Sequence, residues 1–138
     1  MSALRFVWLH SLVAVSLALC LPPTRALQAQ PPDNVYNYYA AIAFSQSTGR
    51  YGYSSGWLAE INARREALKN CKAKDAKVIL VVGNGYAALA VGEDTSAYGY
   101  GSAKTVEGAD LAKRYALEAC RKRTTNCKIV VIIHSWAG

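Results

Sequence analysis

The chain has 138 residues, 52% of them hydrophobic, with 16 lysines and arginines against 9 aspartates and glutamates for a net charge of +7. That length holds one small domain with one core and excludes a large multidomain enzyme. Two histidines and four cysteines leave little material for a metal centre, and so moderate a cationic excess excludes a polycationic nucleic-acid tail.

Met1 to Arg5 carries one positive charge, Phe6 to Leu21 is an apolar run too short to read first as a membrane span, and Pro22 to Ala29 is a polar exit with small residues. This pattern predicts a signal peptide over 1–29. Cleavage is expected after Ala29, with Ala26 as second choice, because each puts alanine directly before the cut. Lipidation at Cys20 would need a small residue before it, and Leu19 is large. Removing 1–29 also removes Arg5 and Arg25, so 109 residues remain with a net charge of +5. The expected destination is secreted or periplasmic, with no transmembrane segment in the mature chain. Export disfavours nucleic acid as a partner and favours a protein, a glycan or an anionic envelope or host surface.

Residues 30–37 are expected to form a flexible leader and 38–138 a single duplicated domain. Tyr39-Ala40-Ala41-Ile42-Ala43-Phe44 followed by Tyr51-Gly52-Tyr53 returns as Tyr86-Ala87-Ala88-Leu89-Ala90-Val91 followed by Tyr98-Gly99-Tyr100, each pair 47 positions apart. The repeats are placed at 38–84 and 85–138. Tyr38 to Ser45 and Tyr51 to Ser54 read as a hairpin around Ser47, Thr48 and Gly49. Leu58 to Cys71 changes to helical period, with Leu58, Ile61, Leu68 and Cys71 on one side, and Ala63 and Ala67 beside them. Lys77 to Val82 is a dense β-branched strand.

Gly83-Asn84-Gly85 suits a tight hairpin joining this strand to the second copy, so the copies are expected to pair edge to edge. Tyr86 to Val91 and Ala97 to Gly101 repeat the hairpin, Thr105 to Cys120 repeats the helix with Thr105 as N-cap, and Lys128 to Ile133 is the last strand. The predicted class is α+β: two ββαβ repeats forming one mostly antiparallel sheet of about six strands, with both helices packed on one face. The cations of Lys69 to Lys77 and of Arg121 to Lys128 fall where the helices end, and the helix dipole favours them there.

Tyr-Ala-Ala-Ile/Leu-Ala, then Tyr-Gly-Tyr, then helices ending Ala67-Leu68-Lys69-Asn70-Cys71 and Ala116-Leu117-Glu118-Ala119-Cys120, then Cys127 to Val131, resemble the small exported bacterial proteins grouped as domain of unknown function 4189. The resemblance runs from Tyr38 to Trp136 and implies a secreted or periplasmic module with a duplicated α+β core; it brings no catalytic residues. Members of that family typically carry a second cysteine just before the first copy's last strand, where this chain has Ala76. Three cysteines therefore remain in the mature chain. Cys120 and Cys127 are the expected disulfide, and Cys71 is left as an unpaired thiol that is buried, forms an intermolecular bridge, or competes for Cys120.

Three stretches suggest chemistry. Gly52-Tyr53-Ser54-Ser55-Gly56 fits G-x-S-x-G, and acidic residues followed by His134 complete the order Ser, Asp, His. A hairpin-rich domain of this size lacks the large parallel sheet that presents such an elbow, so a serine hydrolase centred on Ser54 is kept only as the alternative. Gly83 to Ala88 imitates a dinucleotide loop, but a strand and not a helix is expected next. His134 stands without neighbouring ligands, so no metal and no cofactor are expected. Tyr51, Tyr53, Tyr98 and Tyr100, each pair flanking a glycine, read either as packing or, with Arg50 nearby, as an aromatic surface that binds a sugar, peptide or headgroup. Taken together, the residues indicate an exported, non-enzymatic binding or effector module associated with an envelope or host.

Overall fold

The structure is a computed structural model that describes residues 37–94, 97–105 and 107–136. The expected signal peptide and all but the last residue of the leader lie outside the described residues. The elements run β1 (Tyr39–Phe44), β2 (Tyr51–Trp57), α1 (Glu60–Cys71), β3 (Lys77–Gly83), β4 (Tyr86–Val91), β5 (Tyr98–Ala103), α2 (Gly108–Arg121) and β6 (Lys128–His134). This is an α+β fold in which ββαβ occurs twice.

The strands form two antiparallel sheets of three, ordered β2-β1-β3 and β5-β4-β6, and not the single six-stranded sheet expected from the sequence. The helices likewise do not share a face. Alternation along the two central strands explains both differences. In β1, Ala41 and Ala43 pack against Ala63, Ala67 and Cys71 of α1, while Ala40, Ile42 and Phe44 point the other way. In β4, Ala88 and Ala90 meet Ala112, Ala116 and Cys120 of α2, while Ala87, Leu89 and Val91 join Ile42 and Phe44 in one core between the sheets. Helices on one face of a single sheet would have left Ile42, Phe44, Leu89 and Val91 in water. Ile42 and Leu89 are instead fully buried, each contributing roughly 2 kcal/mol relative to an exposed side chain. The layers therefore run α1, first sheet, second sheet, α2.

Gly83-Asn84-Gly85 is accordingly a crossing between sheets. It leads from β3, an outer strand of the first, to β4, the centre of the second. Asn84 takes the left-handed conformation (φ 49°), donates its N–H to the Tyr38 carbonyl at 3.0 Å, and accepts from the Tyr38 N–H through Oδ1 at 3.1 Å. Ser135 closes the same end. Its carbonyl accepts from the Gly56 N–H (2.9 Å) and its N–H donates to the Gly85 carbonyl (2.9 Å), while Oγ accepts from the Gly85 N–H (2.9 Å). One buried serine thus ties both sheets together.

Helix–sheet contact is set by small residues. A Cβ on Gly52 would lie 2.1 Å from the Cys71 nitrogen, and one on Gly99 would lie 2.2 Å from the Cys120 nitrogen, so helix backbone rests directly on strand backbone. That closeness leaves no room for large side chains beneath α1. Its buried stripe is Ala63, Ala67 and Cys71, whereas Leu58, Ile61 and Leu68, expected from periodicity on the inner side, point outward. Thr105 is not the N-cap of α2; Glu107 holds that position, without a side-chain capping bond, and the Thr105 carbonyl accepts from Gly108 in the preceding turn.

Candidate functional site

Ser54 lies inside β2, as does the whole of Gly52 to Gly56, so the stretch is extended strand and not a strand-to-helix elbow. Its hydroxyl is buried and donates to the Ala63 carbonyl of α1 at 2.8 Å. The equivalent residue in the second half is Gly101, where a Cβ would sit 2.5 Å from the Ala112 carbonyl oxygen. Ser54 therefore acts as a helix–strand spacer. His134 does not join it: Nδ1 is 3.0 Å from the Trp136 carbonyl, and the ring stacks on Trp136 and meets Tyr86 edge-on.

Cys120 and Cys127 form a disulfide with 6.1 Å between their Cα atoms, tying the end of α2 to the start of β6. Cys71, the last residue of α1, is a buried free thiol. Its Sγ–H donates to the Arg50 carbonyl at 3.4 Å. Burial pushes the thiol's pKa up, the Asp75 carboxylate adds to the rise, and Arg50 opposes it, so the thiolate is scarce at neutral pH. Cys71 and Cys120 belong to separate helix–sheet layers with both sheets between them, which rules out their competing for one bridge.

The tyrosines do not form one surface. Tyr51 and Tyr53 lie on β2, Tyr98 and Tyr100 on β5, and across the sandwich β2 approaches β6 while β5 approaches β3. Tyr98 packs on Phe44 (ring centroids 4.6 Å apart) and stacks with Tyr100 (6.3 Å), and the Arg123 guanidinium sits over its ring at 5.6 Å. Arg50 instead donates Nη1 to the Lys72 carbonyl at 3.2 Å, capping the end of α1. Tyr51, Tyr53 and Tyr100 remain exposed. Of the expected binding residues, the structure brings together Tyr98 and Tyr100, and separates them from Arg50, Tyr51 and Tyr53.

The two halves differ most where the β1 and β4 strands end. In the first half the Ser45 hydroxyl, fully buried, donates to Asp75 Oδ1 at 2.6 Å, and the Ser47 N–H donates to Oδ2 at 3.2 Å. These bonds, the Ser45 hydroxyl first, hold the Asp75 carboxyl down to about 2. The adjoining cavity, beside Phe44, Lys77 and Ile79, is only about 110 Å³ and has the Tyr98 ring in its wall. In the second half Gly92 replaces Ser45, its N–H bonding the Ala97 carbonyl as the Ser45 N–H bonds that of Arg50. Asn126 stands in for Asp75 and donates Nδ2 to Glu93 Oε2 at 2.6 Å.

There a groove of about 600 Å³ opens, floored by Val91, Val130 and Cys127 and rimmed by Glu93, Asn126 and Lys128. Tyr51, the repeat counterpart of Tyr98, does not line it. No sequence motif marks this groove. The available signal was the substitution pattern at equivalent repeat positions: Phe44 against Val91, Ser45 against Gly92, Asp75 against Asn126.

A family model described as a domain of unknown function (DUF4189) matches residues 39–134, which takes in every strand and both helices. No curated protein and no solved structure matches the chain.

Proposed function

The chain belongs to the DUF4189 family, and from this premise we propose that it is an exported binding module, not an enzyme, that takes a flat aromatic ring into the groove beside Val91 and Val130. The observation that carries this reading is the filled counterpart. In the first half the chain's own Tyr98 ring lies on Phe44 at the same place in the repeat, while in the second half the place is open. An apolar floor with Lys128 and Glu93 at the rim suits a ring that carries a polar substituent, such as a tyrosine side chain of a partner peptide. Export is supported by the apolar N-terminal run and by the Cys120–Cys127 bridge, which persists in an oxidising compartment. Among the described residues no helix is long and apolar enough to cross a membrane.

Titration with N-acetyl-tyrosinamide, followed by amide chemical shifts, tests the site. Shifts should concentrate at Val91, Gly92 and Lys128 and disappear in Val130→Phe, which fills the groove. Absence of shifts there, or shifts that survive Val130→Phe, would sink the proposal. Covalent labelling by a serine-directed reagent that vanishes in Ser54→Ala would instead favour the hydrolase alternative.

A further inference from the structure

The outer face of α1 is unlike that of α2. Because Ala63, Ala67 and Cys71 mark the buried side, the 3.6-residue period puts Asn62, Arg65 and Lys69 on the opposite side and Ile61 and Leu68 along one flank of it, with Leu58 just ahead of the helix and Lys72 just after it. Leu58 and Ile61 are 60% and 62% exposed and Leu68 37%. No carboxylate lies within this set. Glu66 lies along the other flank, paired with Lys69, and Glu60 lies in the first turn on the sheet side, paired with Arg64, while Arg65 and Lys72 make no ion pair among the described residues.

The second half supplies an internal control. Its buried stripe, Ala112, Ala116 and Cys120, lies 49 positions further on, and the residues matching the outer set of α1 are Glu107, Asp110, Leu111, Arg114, Leu117, Glu118 and Arg121. Three cations, three exposed aliphatics and Asn62 on and beside one helix thus correspond to three acids, two cations and two half-buried leucines at the other. Packing does not require the aliphatics on α1, since its contact with the sheet is made by alanines. On α2 the exposed large apolar side chain is Tyr115, whose hydroxyl suits water, and no aliphatic of that helix is exposed.

We infer that the outer face of α1 docks on the surface of an anionic phospholipid bilayer. Leu58, Ile61 and Leu68 enter the boundary between headgroups and acyl chains, and Arg65, Lys69 and Lys72 meet the lipid phosphates around them. Charge complementarity selects this occupant: an interfacial helix combines a short aliphatic edge with interleaved cations, and its attraction to anionic lipid is screened by salt. The docking is peripheral, because a helix of 12 residues lying in the interface plane cannot span the hydrocarbon core. It is independent of the groove, which lies at the end of the second sheet.

Co-sedimentation with vesicles tests the assignment, using the full chain in the form that the producing cell releases, so that any contribution of the N-terminal segment is common to every variant. Vesicles of equal parts phosphatidylglycerol and phosphatidylcholine should retain the protein at low salt, release it at high salt, and bind it at least tenfold more strongly than phosphatidylcholine alone. Arg65→Glu/Lys69→Glu should lower partition at least tenfold, and Ile61→Ser/Leu68→Ser several-fold, each with an unchanged circular dichroism spectrum because these side chains are exposed. Asp110→Ser/Glu118→Ser on α2 should leave partition unchanged. Equal binding to both vesicle types, or partition indifferent to either α1 variant, overturns the inference. No retention on either vesicle overturns it in favour of an acidic protein partner for this face.

Discussion

The first half, β1 to β3, and the second, β4 to β6, use one plan for opposite purposes at their ends. Both rest a helix directly on an outer strand through glycine, and both turn alanine toward the helix and larger side chains toward the other sheet. Beyond that shared scaffold the strand end of the first half is closed by its own Ser45 and Asp75 and by Tyr98 of the second half, while the second leaves its own end open and ties it with a disulfide. The difference teaches where this fold tolerates change. Helix–strand contact is made backbone to backbone and admits nothing larger, whereas strand ends and outer helix faces are free to take up separate tasks.

Substitutions that abolish the shared contact should have the largest effect. Gly52→Val and Gly99→Val each force a side chain into helix backbone that cannot move aside, and each should cost about 3 kcal/mol or more in denaturant unfolding; a tolerated Gly52→Val beside a disruptive Gly99→Val would show that the halves are not equivalent scaffolds. Next comes the bridge. Cys120→Ser/Cys127→Ser should lower stability by about 2 kcal/mol, as expected for a short closed loop. Conversely, Ala76→Cys should pair with Cys71 on oxidation, removing both thiols from a thiol titration, because Ala76 already packs in the Cys71 cluster.

Ser54→Ala should cost about 1 kcal/mol, the loss of one buried hydrogen bond, measured by the thermal midpoint. The reciprocal Gly101→Ser should cost about 2 kcal/mol, because the helix there lies closer.

The smallest effect is lost in acid. The Asp75 carboxyl titrates near 2 when folded against an ordinary 3.8, so folding favours its ionised form. Its contribution is complete above the unfolded value and is lost as pH falls from about 4 toward 2. Asp75→Asn should therefore separate from the parent chain in stability at pH 6 and converge with it near pH 2; a constant gap across that range would assign the effect to packing.

The sequence made the duplication legible because identical small and aromatic residues recur at a constant spacing, and with it the ββαβ unit and the glycines beneath the helices. Sheet number was not legible. Tyr39 to Phe44 is apolar at every position, and such a run says that both faces are buried without saying whether a helix or a second sheet covers each. The orientation of α1 was not legible for a related reason: periodicity weighs Leu58, Ile61 and Leu68 above alanine, whereas a backbone-close interface selects alanine and expels leucine. The groove escaped because it is made by what a repeat position lacks, namely the bulk of Phe44 and the bonding of Ser45.

The face between the sheets has a consequence for how the molecule comes apart. Ile42 and Phe44 of one half are buried only because Leu89, Val91 and Ile133 of the other cover them. Each half keeps its own helix–strand cluster, but neither covers its inter-sheet face alone, so the halves should open together and hydrogen exchange in β1 and β4 should report one common opening energy. The arrangement is that of a homodimer whose two subunits have been joined end to end. The crossing at Gly83 to Gly85 replaces concentration as the force that brings them together.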